Sequence, residues 1–157
     1  MTEQTGRCLC GAVRFALSGP FNWQGHCHCE SCRRATASPM TSFLGVPNAQ
    51  WRWTGAQPQM YESSPGVRRW FCGRCGSPMA YDADQFPGET HFFAATLDQP
   101  ENYAPTFHVF AGEQLGWMKL ADELPRFEGM VGTARLDRAT PKDRLIARTS
   151  RHPGWGR

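Results

Sequence analysis

The chain has 157 residues, 40% of them hydrophobic, with 17 Lys or Arg against 14 Asp or Glu and a formal net charge of +3. That length suits one domain with a buried core, and no apolar run approaches the ~20 residues of a membrane-spanning helix. The charge is uneven: residues 130–157 carry seven basic and two acidic side chains, a net of +5, which leaves the rest of the chain at −2.

Taken in chain order, short runs rich in β-branched and aromatic residues alternate with turns built from the 16 glycines and 12 prolines. Strands are predicted at 12–17, 22–25, 41–46, 50–53, 60–63, 68–71, 79–82, 90–96, 106–110 and 116–118. Many short strands at this spacing predict a mainly β domain. Pro20, Pro47, Pro58, Pro65 and Pro87 break the runs, because proline cannot donate to a strand ladder. A short helical turn is predicted over 31–36. Thr140 before Pro141, with Asp143 in the first turn, has the form of a helix start leading into 142–148.

Seven cysteines fall into three clusters: Cys8 and Cys10; Cys27, Cys29 and Cys32; Cys72 and Cys75. The amino-terminal residues lack the apolar stretch of a signal peptide, so a cytoplasmic location is expected. There thiols stay reduced, and clustered cysteines read as metal ligands rather than disulfides. Cys72-Gly73-Arg74-Cys75-Gly76 has the form of a zinc knuckle, with glycines for the unusual backbone angles. One such pair supplies two ligands and needs a second pair. Cys8 and Cys10, at i and i+2, can face one ion together from an extended segment. Four thiolates close a tetrahedral structural site, and three leave a catalytic one open. Cys27, Cys29 and Cys32 make the set of three. If His26 or His28 joins it, the site is closed. If neither does, a position remains for water or a thiol. His28 lies between two ligands on an extended stretch and should point away, which favours the open site. Two zinc ions per chain are therefore expected. Arg7, Arg33, Arg34 and Arg74 flank the clusters and can offset thiolate charge. Arg33 and Arg34 can also hold a substrate carboxylate.

The stretches Gly6-Arg7-Cys8-Leu9-Cys10-Gly11-Ala12-Val13-Arg14-Phe15, Cys27-His28-Cys29-Glu30-Ser31-Cys32-Arg33-Arg34 and Phe71-Cys72-Gly73-Arg74-Cys75-Gly76-Ser77 together resemble the glutathione-dependent formaldehyde-activating (GFA), or CENP-V-like, zinc family. Thr96-Leu97-Asp98, Pro105-Thr106-Phe107-His108, Trp117 and Leu124-Pro125-Arg126-Phe127 also look like its pattern. The resemblance covers about residues 5–128 and implies a small β-rich zinc fold of the β-tent type, with few short helices, similar to the exchange-factor-like zinc proteins. It implies that Cys8, Cys10, Cys72 and Cys75 hold a structural zinc, and that Cys27, Cys29 and Cys32 hold a catalytic one. It further implies a carbon–sulfur lyase or synthase joining a small aldehyde to glutathione, with S-hydroxymethylglutathione as the type product. His108 and Asp98 fall in the resembling stretches and are weighed as general acid or base. His108 is retained as a candidate catalytic residue, while Asp98 fits a turn-initiating carboxylate.

Residues 129–157 lie outside the resemblance and read as a basic, solvated extension. No interleaving of aromatics with arginines suggests a base-stacking platform, so nucleic acid is not the expected partner. The competing function is a non-catalytic zinc module that contacts a protein or nucleic acid.

Overall fold

The structure, a computed structural model, describes residues 3–136. Among these residues there are ten strands in two sheets and one α-helix. The smaller sheet has the order β1-β2-β5, from β1 (Gln4–Arg7), β2 (Arg14–Leu17) and β5 (Trp51–Trp53). The larger sheet draws on β3 (Trp23–Cys27), β4 (Thr41–Pro47), β6 (Gln59–Ser64), β7 (Val67–Phe71), β8 (Pro78–Ala83), β9 (Glu89–Phe93) and β10 (His108–Val109). Its order is β10-β3-β4-β9-β8-β7-β6, antiparallel throughout except for the parallel pairing of β10 with β3. The mainly β fold read from the sequence is the one observed. No helix of the described residues is long and apolar enough to cross a membrane.

Each face of the larger sheet buries a different cluster. Leu44, Val46, Ala80 and Phe92 point to one side and pack on Phe15 and Leu17 of the smaller sheet. Phe92 is the centre of this contact, 4.7 Å from the Phe15 ring and 5.2 Å from that of Trp51. Such ring pairs add to the burial of apolar surface that holds the two sheets together. The opposite face carries Cys27, Phe43 and Phe93. There α1 (Glu30–Thr36) follows β3 directly. Gly45 on this face leaves room for the Trp23 indole, since a Cβ there would lie 2.3 Å from Nε1.

Several boundaries differ from expectation. β1 is polar and short, and carries no alternating apolar signal; it exists through pairing, Thr5 opposite Ala16 and Gly6 opposite Phe15. Residues 116–118 form a turn instead of a strand, closed by Met118 N–H on the Leu115 carbonyl at 3.0 Å, with Trp117 71% exposed. A β-rich composition without a neighbouring strand to complete the ladder makes no strand. The expected strand at 90–96 ends at Phe93 and turns into a 3-10 segment, Ala94–Thr96. Residues 126–136 turn back on themselves: Glu128 N–H donates to the Ala134 carbonyl and Leu136 N–H to that of Arg126, each at 2.8 Å. The helix expected at 142–148 lies outside the described residues.

Candidate metal centres

Cys8 and Cys10 sit in the loop between β1 and β2, and Cys72 and Cys75 in the turn between β7 and β8. All four Sγ atoms lie within 4.8 Å of one another. Cys8 Sγ is 3.5 Å from Cys10 Sγ, which is 3.8 Å from Cys72 Sγ. Tetrahedral thiolates at the usual zinc–sulfur length stand about 3.8 Å apart, so the set fits such an ion. The local route to this geometry is a turn, not the extended segment expected. Gly11 N–H donates to the Cys8 carbonyl at 3.0 Å, which swings both sulfurs inward and leaves Leu9 84% exposed. In the opposing turn Gly76 has φ of +75°, a left-handed conformation that glycine takes without strain. Its N–H donates to the Cys72 carbonyl at 2.8 Å. Ser77 ties the two halves: its hydroxyl accepts from Leu9 N–H at 3.1 Å and lies 3.3 Å from Cys75 Sγ. That hydroxyl is the first cause holding the Cys75 thiol down, at about 5.

The second set is built around one helix start. Cys27 ends β3, Cys29 is the N-cap of α1, and Cys32 lies within it. Cys29 Sγ accepts from Cys32 N–H at 3.3 Å, filling the role a cap oxygen usually plays. The three sulfurs lie within 4.8 Å of one another. Phe43, Phe93, Val109, Tyr81, Phe107 and Phe110 pack around them. In this apolar setting burial opposes charge on all three sulfurs. Hydrogen bonds from Cys27 and Cys29 hold the Cys32 thiol at about 3, with the Arg69 guanidinium assisting against burial. The bonds to Cys29 and Cys32, together with burial, push Cys27 far up. Three cysteine sulfurs converging within 4.8 Å are, as thiolates, a donor set suited to a soft dication, which fits zinc here also.

Among the described residues neither His26 nor His28 joins a sulfur set. His28, expected to point away, does so. It is 0% exposed, with Nε2 2.9 Å from Nδ1 of the equally buried His108. The other nitrogen of His108 lies 3.1 Å from Asp122 Oδ1. Asp122 also accepts from Leu124 N–H at 3.0 Å and from Arg126 at 3.2 Å. A carboxylate accepts only, so Asp122 fixes the proton on His108 Nε2, leaving Nδ1 to accept from His28. His26 turns to Ser42, Nδ1 to Oγ 2.9 Å.

Asp98 takes no part in either set. It accepts from Thr5 Oγ1 at 2.7 Å and pairs with Arg7 at 3.2 Å. Arg33 Nε donates to the His28 carbonyl at 3.0 Å, and Arg34 pairs with Glu30 at 2.7 Å. Both arginines line an open cleft with Glu30, Ser38, Leu115 and Trp117.

Sequence reasoning missed a row of side chains beside the second set. Arg69 stands opposite Tyr81, and Tyr81 opposite His91, across β7, β8 and β9. Arg69 Cζ lies 5.2 Å from the Tyr81 ring centre, the Tyr81 and His91 rings are 5.3 Å apart, and His91 is 4.7 Å from Trp23. Glu89 anchors the far end, accepting from Trp23 Nε1 at 2.8 Å, with His91 Nε2 2.7 Å away. Alternation along each strand marks which residues share a face. The strand pairing that aligns them is not written in any one segment.

A family model described as glutathione-dependent formaldehyde-activating enzyme matches residues 3–113. The chain belongs to that family. The matched stretch contains all seven cysteines and His108, and ends before Asp122. A Halomonas elongata protein, provisionally named a glutathione-dependent formaldehyde-activating enzyme, is 27% identical over 131 residues, 73% of this chain and 79% of the relative. A Rhodobacter sphaeroides crystal structure superposes with a TM-score of 0.52 at 22% identity, covering 64% of this chain and 97% of that one, and shares the fold.

Proposed function

We propose that this family member is a zinc-dependent carbon–sulfur lyase or synthase acting on the adduct of a small aldehyde and glutathione, of the S-hydroxymethylglutathione type. The observation that carries the reading is the set of three sulfurs, joined by no fourth ligand among the described residues, on an aromatic face. In the synthetic direction the glutathione sulfur bonds to the aldehyde carbon, the carbonyl oxygen becomes a hydroxyl, and the thiol proton ends on that oxygen. No net oxidation is required.

In this reading Cys8, Cys10, Cys72 and Cys75 hold a structural zinc, and Cys27, Cys29 and Cys32 hold a catalytic one, two per chain. A zinc ion at the second set would supply Lewis acidity and lower the pKa of a thiol bound beside it. The chain's own residues supply the rest. The helix cap presets Cys29 and Cys32. The His28–His108–Asp122 chain fixes the segment that carries Cys27 and Cys29. His108 has both nitrogens engaged and no exposure, so it acts through His28 and not by touching substrate. Phe43, Phe93 and Tyr81 limit water at the sulfurs. Arg33 and Arg34 hold a carboxylate at the cleft by α1. The domain spans about residues 5–128 with a basic extension at 129–157, and the cytoplasm keeps the seven thiols reduced.

Exchange between formaldehyde with glutathione and their adduct, followed by NMR, tests the reading. Wild-type protein should accelerate it, and Cys29→Ser should not. No acceleration by fully metallated wild type would refute it.

A further inference from the structure

Arg68 and Arg69 are adjacent on β7 but differ in what they hold. Arg68 is neutralised by two carboxylates, Asp82 and Asp84. Arg69 is held by neutral hydroxyls: Nε donates to Ser63 Oγ at 3.1 Å and Nη2 to Ser31 Oγ at 2.7 Å. Its Cζ lies 5.2 Å from the Tyr81 ring centre, so the guanidinium plane is held by an aromatic neighbour as well. Nη1 is buried and has no partner among the described residues. A buried donor without an acceptor carries an unrecovered desolvation cost, and a fixed guanidinium presents its N–H groups as a fork matched to two-oxygen anions. Ser31 lies between Cys29 and Cys32 on α1, so this cation is tethered to the three-sulfur set.

We propose that Arg69 is a specificity-determining residue of that set, taking a carboxylate of a thiol ligand held at Cys27, Cys29 and Cys32. The ligand class rests on the function proposed above. A tripeptide thiol has two carboxylates, and Arg69 accounts for one independently of the cleft at Arg33 and Arg34. The fork is preorganised, so the ligand bears little of the cost of ordering it. Nothing in the cysteine motifs marks Arg69. It reaches the set because β7 lies two strands from β9 in the sheet and α1 brings Ser31 to it.

The test titrates full-length metal-loaded protein calorimetrically with two thiol acids, mercaptoacetate and mercaptopropionate, and with their neutral counterparts, mercaptoethanol and mercaptopropanol. Wild type should bind the better acid about tenfold or more tightly than its alcohol, as expected for a charge-assisted pair. Arg69→Gln should erase that preference while leaving alcohol affinity within about twofold, and Arg69→Lys should recover part of it. A wild type that does not prefer either acid overturns the proposal, whether or not the variants fold. So does an equal loss for acids and alcohols in Arg69→Gln, which would mean that the cation serves the sulfurs alone. A second readout needs no thiol ligand: alkylation of Cys27, Cys29 and Cys32 by iodoacetate relative to iodoacetamide, mapped by mass spectrometry. The ratio should fall in Arg69→Gln, and an unchanged ratio counts against the proposal. If the acid preference holds but glutathione and formaldehyde are not turned over, the proposed reaction fails and Arg69 keeps its role.

Discussion

The two cysteine sets differ in what they join. The four-sulfur set links the loop of the smaller sheet to a turn of the larger one, and two of its members, Cys8 and Cys72, belong to the core between the sheets. The three-sulfur set joins one strand end to the helix that follows it, over the six residues of chain from Cys27 to Cys32. Closing a long loop removes much unfolded-state entropy, whereas closing a short one removes little. In the function proposed above, the same residue type therefore supports the fold in one place and leaves room for chemistry in the other. Their surroundings follow suit: a serine and backbone groups around the first, aromatics and a charged arginine beside the second.

Cys72→Ser should break the comparison most violently. A thiolate zinc site contributes on the order of 10 kcal/mol, comparable to the ~5–15 kcal/mol stability of a whole domain. The variant should show no cooperative melt, and a chelator should have the same effect on wild type. A variant that melts like wild type would remove the structural role.

Cys32→Ser should abolish turnover while the melt keeps its cooperativity, with zinc content falling from two ions toward one per chain. Equal destabilisation by Cys32→Ser and Cys72→Ser would erase the division between the sets.

His108→Ala should sharpen the comparison. It strips buried His28 of its His108 contact and Asp122 of one of its hydrogen bonds and opens a cavity, at about 2–4 kcal/mol. Loss of such a supporting contact costs metal sites about 10- to 100-fold in affinity. Metal titration should show weakening confined to the three-sulfur set; weakening shared by both sets would contradict the positioning role.

Acid should act on the same region first. Burial, then the charge of His108, holds His26 and His28 at about 4, below the ordinary 6.5. Between those values the unfolded chain takes up protons that the folded chain refuses, so stability is full above 6.5 and declines as pH falls toward 4. Amide exchange should rise in β3 and β10 before β1 and β2. Asp122 and Glu89, both held below the usual carboxylate range by hydrogen bonds that outweigh burial, add further loss at lower pH. Stability that is flat through this window would refute the buried neutral histidines.

Arg33→Gln combined with Arg34→Gln should have the smallest effect. These side chains are already engaged, so KM for glutathione should rise a few-fold with kcat preserved, by roughly 1 kcal/mol of binding. An unchanged KM would remove them from the substrate site.

The fold class and the partition of sulfurs were legible because zinc chemistry fixes ligand spacing within a few residues. Cys72-x-x-Cys75 and Cys27-x-Cys29-x-x-Cys32 are local statements, and so is the short helical turn expected at 31–36, which the structure begins one residue earlier at Glu30. Gly76 at the knuckle was legible for the same reason. The strand expected at 116–118 was not a strand, because nothing local reveals that Trp117 lacks a neighbour. β1 was missed for the converse reason: its polar residues become a strand through β2.

The sequence by itself marked which residues can bind metal, since ligand spacing within each cluster acts over a handful of bonds, whereas the meeting of Cys10 with Cys72 spans 62 positions and is completed by the fold. Tertiary structure alone decided what surrounds them. Arg69 meets Ser31 across 38 positions of chain and His28 meets His108 across 80. Such pairs depend on strand order and register, which are set by the summed burial of two sheet faces and not by any short segment.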